Sequence, residues 1–190
     1  MNTAIKKWCL FLFFFGVGIC QSHALGIVTF GPKETRIEGS IPYTVVGHYR
    51  AQFRAFKGRI TLDEGSEQIR SVYLKIEVKS IVSNCSWCDK IARSRRLLNP
   101  TRYPYIIFKS DQIIHDEKGY RVKGVLEMHG IKRVMTFPFD VQIKKQLLVI
   151  HGNWVVNRKD FNIVWSRYLD RGGVVVGDYF TVDWGIKAYL

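Results

Sequence analysis

Acidic residues are scarce in this chain. Lys and Arg number 29 against 16 Asp and Glu, giving a formal net charge of +13 over 190 residues. So basic a protein favours anionic partners: phosphate head groups, acidic lipid surfaces or polyanions. The cations are scattered, which fits a generally basic solvated face equally well; Arg93, Arg95 and Arg96 are the densest group. There is no repeat, low-complexity tract or Pro-rich linker, so a single domain is expected. A nucleophile elbow, a phosphate-cradling glycine loop and an HExxH pair are also missing. The reading is therefore a protein that is not an enzyme and needs no cofactor or metal.

Long apolar runs are confined to the N-terminus. Lys6 and Lys7 precede an apolar stretch from Trp8 to Cys20, broken only by Gly16 and Gly18, and Gln21, Ser22, His23 and Ala24 follow at cleavage spacing. This reads as a secretory signal peptide, residues 1–24, cut after Ala24. It is shorter than the roughly 20 residues that span a bilayer comfortably. A lipoprotein reading would acylate Cys20, but Ile19 is a poor residue to precede it. Residues 25–190 are then the mature domain, located in the periplasm, and export separates them from nucleic acid.

What the mature chain has in quantity is alternation. Tyr49, Ala51, Phe53 and Ala55 share one face, and Arg50, Gln52 and Arg54 the other. Val72, Leu74, Ile76 and Val78 repeat the pattern, as do Ile106 and Phe108, Val122, Leu126 and Met128, Phe137 and Phe139, Trp154 and Val156, and Phe180, Val182, Trp184 and Ile186. A period of two with one polar face means antiparallel strands, dry on one side. About eight such strands predict an all-β sandwich or closed barrel. Around His129-Gly130 the alternation reads as two strands and a tight turn, with Leu126 and Met128 before it and Val134 onward after it. Residues 87–98 break the rhythm and, closed off by Pro100 and Pro104, predict a short helix.

Several of these stretches together resemble the YceI-like family. The hairpin roughly follows its Gly-x-Leu-x-x-His-Gly and then Val-x-Phe-x-Phe, and Phe53 to Asp63 resembles its aromatic strand with Gly-x-Ile-x-x-Asp. Ser80 to Asn84 with Asp89, then Ser94 and Tyr103 to Phe108, follow in order. Asn157 to Phe161 and Val176-Gly177-Asp178 complete the series. The resemblance runs from about Arg36 to Leu190. It implies an eight-stranded antiparallel lipocalin-like barrel, with one short helical insertion, whose interior takes a long isoprenoid, quinone-like or fatty-amide lipid. The chain departs from the pattern at Ile91-Ala92 and Arg96-Leu97-Leu98 in the helix, and at Asn162, where the family has Gly.

A small barrel fills its interior with side chains or with a ligand. The inward set mixes large residues with small ones (Ala51, Ala55, Gly124, Gly152), which suits a packed taper as well as a cavity. The resemblance points to the cavity, lined by Phe53, Leu74, Ile76, Phe108, Leu126, Met128, Phe139, Trp154, Phe180 and Trp184. Arg93, Arg95 and Arg96 are the candidates for a head group or an anionic membrane surface. Arg158, Asp160 and Asp178 read as salt-bridged turns closing one end. Cys85 and Cys88, the two cysteines left after export, read as a disulfide in an oxidising compartment; a redox-active pair, a zinc site and two free thiols are the other readings. His48, His115, His129 and His151 are dispersed, and His129 is assigned to the turn. Two other function classes stay open: a thiol-redox accessory protein using Cys85 and Cys88, and a ligand-free interaction barrel. A homodimer is compatible with an open-mouthed barrel.

Overall fold

The computed structural model describes residues 25–43, 47–63, 68–145, 147–164 and 176–189. The expected signal peptide, residues 1–24, lies outside them. In chain order the elements are β1 (Leu25–Phe30), β2 (Thr35–Tyr43), β3 (Gly47–Phe53), β4 (Phe56–Asp63), β5 (Ile69–Glu77), β6 (Ile81–Val82), α1 (Ser86–Ala92), β7 (Tyr105–Asp116), β8 (Gly119–Met128), β9 (Ile131–Lys144), β10 (Leu147–Asn157) and β11 (Tyr179–Tyr189). One-turn 3-10 helices sit at Val78–Ser80 and Arg158–Phe161.

The pairing reduces eleven strands to the eight expected. β1 lies antiparallel to β4 and β2 to β3; β5 lies along β4 and β6 along β3. Thus β1 with β2, β3 with β4, and β5 with β6 are three strands, each broken once. Their neighbours complete a ring, from β5 through β7, β8, β9, β10 and β11 back to β2. The fold is an antiparallel up-and-down barrel with one helical insertion.

Each break switches which side chains face inward. Phe53 lines the interior before the corner at Arg54 and Ala55, and Phe56 and Ile60 are buried after it. The same change runs from Phe30 to Thr35 and from Val78 to Ile81. The extra residues act as bulges, bending the strand as barrel corners require. Ala55, expected on the face of Phe53, instead sits in the corner, where its carbonyl accepts from the Glu77 N–H at 2.9 Å. The Arg54 N–H donates to the Ser80 carbonyl at 3.2 Å, so two adjacent corners brace each other.

His129 and Gly130 have φ of 53° and 76°, the two left-handed residues of a two-residue hairpin turn. The inward face of β9 carries Phe137 and Phe139, both buried. Val134, counted inward from sequence, points to solvent. The helix is also shorter than expected. It stops at Ala92, whose carbonyl accepts from the Leu98 N–H at 3.0 Å, and this turn folds Leu97 and Leu98 back onto the interior rather than along the helix.

The seam between β9 and β10 is only partly hydrogen-bonded. β9 pairs with β10 from Asp140 with His151 to Lys144 with Leu147, and no pairs continue above. There, Trp154 Nε1–H donates to the Pro138 carbonyl at 3.1 Å, and the indole stacks on Phe137 at 4.0 Å. Phe108 approaches the same indole at 5.5 Å. The aromatic wedge replaces the missing ladder.

Candidate ligand cavity

The inward faces of the strands surround a cavity of about 320 Å³, at the lower end of the roughly 300–1,000 Å³ typical of small-molecule sites. The barrel-wall residues proposed from periodicity, Phe53, Leu74, Ile76, Phe108, Leu126, Met128, Phe139, Trp154, Phe180 and Trp184, all line it. Periodicity brought them together because the register of each antiparallel pair keeps a strand's inward set facing one interior. The reading missed Ile60, Val72 and Ile81 from the broken strands, and Trp87, Cys88, Ile91, Leu97 and Leu98 from the cover. Val72 shares a face with Leu74 and Ile76 in the alternation but was left out of the lining set; Ile60 and Ile81 lie beyond corners, where the phase of the alternation shifts.

Small residues shape the space. Gly152 faces inward from β10, opposite Trp184 on β11. A Cβ there would lie 2.5 Å from the indole, so only Gly lets that ring lie flat across the wall. Trp154 meets the same indole edge-on at 5.0 Å.

The end of the barrel nearest α1 is closed by two polar devices. In the first, Asp89 of α1 is buried, 5% exposed, and its carboxylate accepts from the Tyr49 hydroxyl at 2.8 Å, the Ser83 hydroxyl at 2.6 Å and the Ser83 N–H at 3.0 Å. Burial alone would raise its pKa, but the bonds from Ser83 and Tyr49 and the charge of Arg93 together hold it below the usual carboxylate value. Burial, and then Asp89, push the Tyr49 phenol far upward. This latch fixes α1 across the cavity. Cys85 caps the helix, its sulfur accepting from the Cys88 N–H at 3.2 Å, and the two cysteines form a disulfide with a Cα–Cα distance of 5.2 Å. The oxidised pair fits the structural reading of the motif.

The second device is Arg158, 7% exposed, which also lines the cavity. Nε donates to the Gly177 carbonyl at 2.8 Å and Nη1 to the Ile163 carbonyl at 2.8 Å; Nη2 donates to the Val176 carbonyl at 3.3 Å and to Asp178 at 3.1 Å. Lys159 Nζ donates to the other Asp178 oxygen at 2.6 Å, and that bond leads the causes holding Asp178 below its ordinary pKa. Asp160, expected in this pairing, is exposed; Lys159 stands in its place, and Asp160 contributes its backbone carbonyl to Arg133. Asn162 closes the turn at φ 54°, a left-handed position that Asn tolerates. His129 Nδ1 lies 3.1 Å from the Phe161 carbonyl, which ties the β8–β9 turn to this one; burial first, and the charge of Arg102, lower its pKa.

Arg93, Arg95 and Arg96 do not reach the cavity. Arg93 donates to the Ile81 carbonyl at 2.9 Å, bracing α1 from outside, while Arg95 and Arg96 are exposed. Among the described residues no group of three or more His, Cys, Asp and Glu side chains converges.

Residues 29–188 match the YceI-like domain. A UPF0312 protein of Pectobacterium carotovorum is 29% identical over 119 residues, 58% of this chain and 61% of that one. Another, of Yersinia enterocolitica, is 31% identical over 84 residues, 44% of each chain. The chain thus spans less than two thirds of these relatives. BcnA of Burkholderia cenocepacia superposes with a TM-score of 0.71 at 18% identity, covering 81% of this chain and 96% of that one. A polyisoprenoid binding domain from Saccharophagus degradans does so with a TM-score of 0.67 at 12% identity, covering 87% and 99%. At these identities the structural likeness speaks for the fold.

Proposed function

This chain belongs to the YceI-like domain family, and on that premise we propose that it binds a long apolar lipid of the polyisoprenoid type inside its barrel and carries it in the periplasm. The carrying observation is a cavity walled by aliphatic and aromatic side chains, whose one charged lining residue among those described, Arg158, already holds carbonyls and Asp178. Such an interior selects length and apolarity over polar detail. Burying a methylene contributes about 0.8 kcal/mol, so about ten of them approach the 8 kcal/mol of a micromolar complex. The name of the Saccharophagus domain supports an isoprenoid over other chains. The mature domain begins at Leu25 in this reading, after removal of the signal segment.

Binding, not catalysis, is the function this architecture supports. Of the polar groups around the cavity, Asp89, Tyr49 and Arg158 hold the cover and the turns in place. Native mass spectrometry of protein purified from its own periplasm, followed by solvent extraction, tests the proposal. A stoichiometric long-chain lipid on a chain starting at Leu25 is the expected result. An empty barrel that also refuses added isoprenoid alcohols would refute it.

A further inference from the structure

We infer that the cover of the barrel is a docking surface for an anionic lipid bilayer, placing the cavity against the membrane from which cargo is taken or to which it is given. The inference deepens the lipid-binding proposal and rests on it. Residues 86–105 carry Lys90, Arg93, Arg95, Arg96 and Arg102 against a single carboxylate, Asp89. That carboxylate is turned inward onto Tyr49 and Ser83, and the cation whose charge it meets is Arg93. Arg93 is engaged by backbone carbonyls, whereas Lys90, Arg95 and Arg102 are exposed. Of the carboxylates at this end, Asp178 is held by Arg158 and Lys159 and Glu127 by Lys132, while Asp160 is exposed.

Charge alone would suit any polyanion; Trp87 selects a bilayer. Its side chain stands in the second position of α1, 65% exposed, yet it also lines the cavity. Outer surface and cavity wall therefore meet at one indole, beside the cations. Indole rings favour the level of lipid head groups, and each basic residue brought to an anionic leaflet strengthens attachment about fivefold. The Asp89 latch and the Arg93 brace hold the cover, and Trp87, Lys90 and Arg95 stand outside both.

Flotation of the mature protein with phosphatidylcholine vesicles, with and without phosphatidylglycerol, tests the surface. Uptake of cis-parinaric acid in vesicle-free buffer tests the cavity separately. Flotation should require phosphatidylglycerol and fade with added salt. The double variant Lys90→Glu/Arg95→Glu should float at least about 25-fold less well, by the same fivefold step per residue, with parinaric acid uptake unchanged; Arg102→Glu alone should show a smaller loss in the same direction. Trp87→Ser should weaken flotation even with all cations in place. Equal flotation on neutral vesicles, undiminished flotation of the double variant, or retention by heparin without flotation would each overturn the docking surface. Flotation without uptake of either parinaric acid or an isoprenoid alcohol would uphold the docking surface and overturn the cargo.

Discussion

Two cationic segments close the same end of the barrel, and they use charge in opposite ways. In the turn after β10, Arg158 is withdrawn from water and its guanidinium is tied to three carbonyls and a carboxylate. In the cover, Lys90, Arg95 and Arg102 face solvent, and the buried charge is instead the carboxylate of Asp89. A buried, fully bonded ion holds its surroundings in one arrangement, since removing it leaves several polar groups unsatisfied in low dielectric. An exposed ion contributes little to the fold and acts on what approaches from outside. The turn is therefore architecture and the cover is surface.

Substitutions should separate the two in a graded way. Arg158→Ala is expected to be the most damaging, lowering stability by about 3–5 kcal/mol as its buried acceptors lose their partner. Arg158→Lys should recover little, because an ammonium cannot reproduce the fork. Chemical denaturation with urea reads both, and a loss under 1 kcal/mol would erase the distinction drawn here. Next comes Asp89→Ala, at about 3 kcal/mol, since three bonds to a charged acceptor are lost. The same latch should be acid-sensitive. The folded carboxyl sits below its unfolded value, so its contribution is complete above the ordinary Asp pKa of about 3.9 and is lost as pH falls through the lower folded value. Melting temperature followed downward from pH 5 should fall more steeply for the parent than for Asp89→Asn.

Reducing the Cys85–Cys88 disulfide should cost about 2 kcal/mol by the chain-entropy estimate for so short a loop. Calorimetry with and without dithiothreitol measures it, and a loss as large as that of Arg158→Ala would make the disulfide the main anchor of the cover. The smallest effect should come from Lys90→Ala with Arg95→Ala, within about 0.5 kcal/mol of the parent. Thermal unfolding checks this, and a larger loss would mean that the cover's cations are architectural after all.

The barrel was legible wherever a strand stays in phase. From Tyr105 to Asn157 the alternation ran with few interruptions, and the inward residues Phe108, Leu126, Met128, Phe139 and Trp154 could be counted directly. Phase was lost at Arg54-Ala55 and at Val78–Ser80, because neither corner carries a Pro or Gly to mark it; their geometry comes from bonds between the two corners. Val134 was misplaced for a related reason: the count across the turn was carried one position too far. The latch was invisible because Tyr49 and Asp89 are 40 residues apart and nothing local distinguishes a bonded carboxylate from a solvated one. In the closing turn, Arg158 and Asp178 were recognised, but Lys159 and Asp160 are adjacent and polar, so composition alone could not say which of them turns toward Asp178.

The three corners also bear on how such a chain tolerates insertions and deletions. In an unbroken strand, adding or removing one residue turns everything beyond it inside out. Here each of the first three strands already contains a point where facing is reset. A length change confined to a corner can be absorbed there, leaving the flanking halves of the strand with their own partners and their own inward residues. The early strands are thus free to drift in length in a way the uninterrupted β10 and β11 are not, and lineages of this barrel should accumulate their gaps at Gly31 to Glu34, Arg54 to Ala55 and Val78 to Ser80.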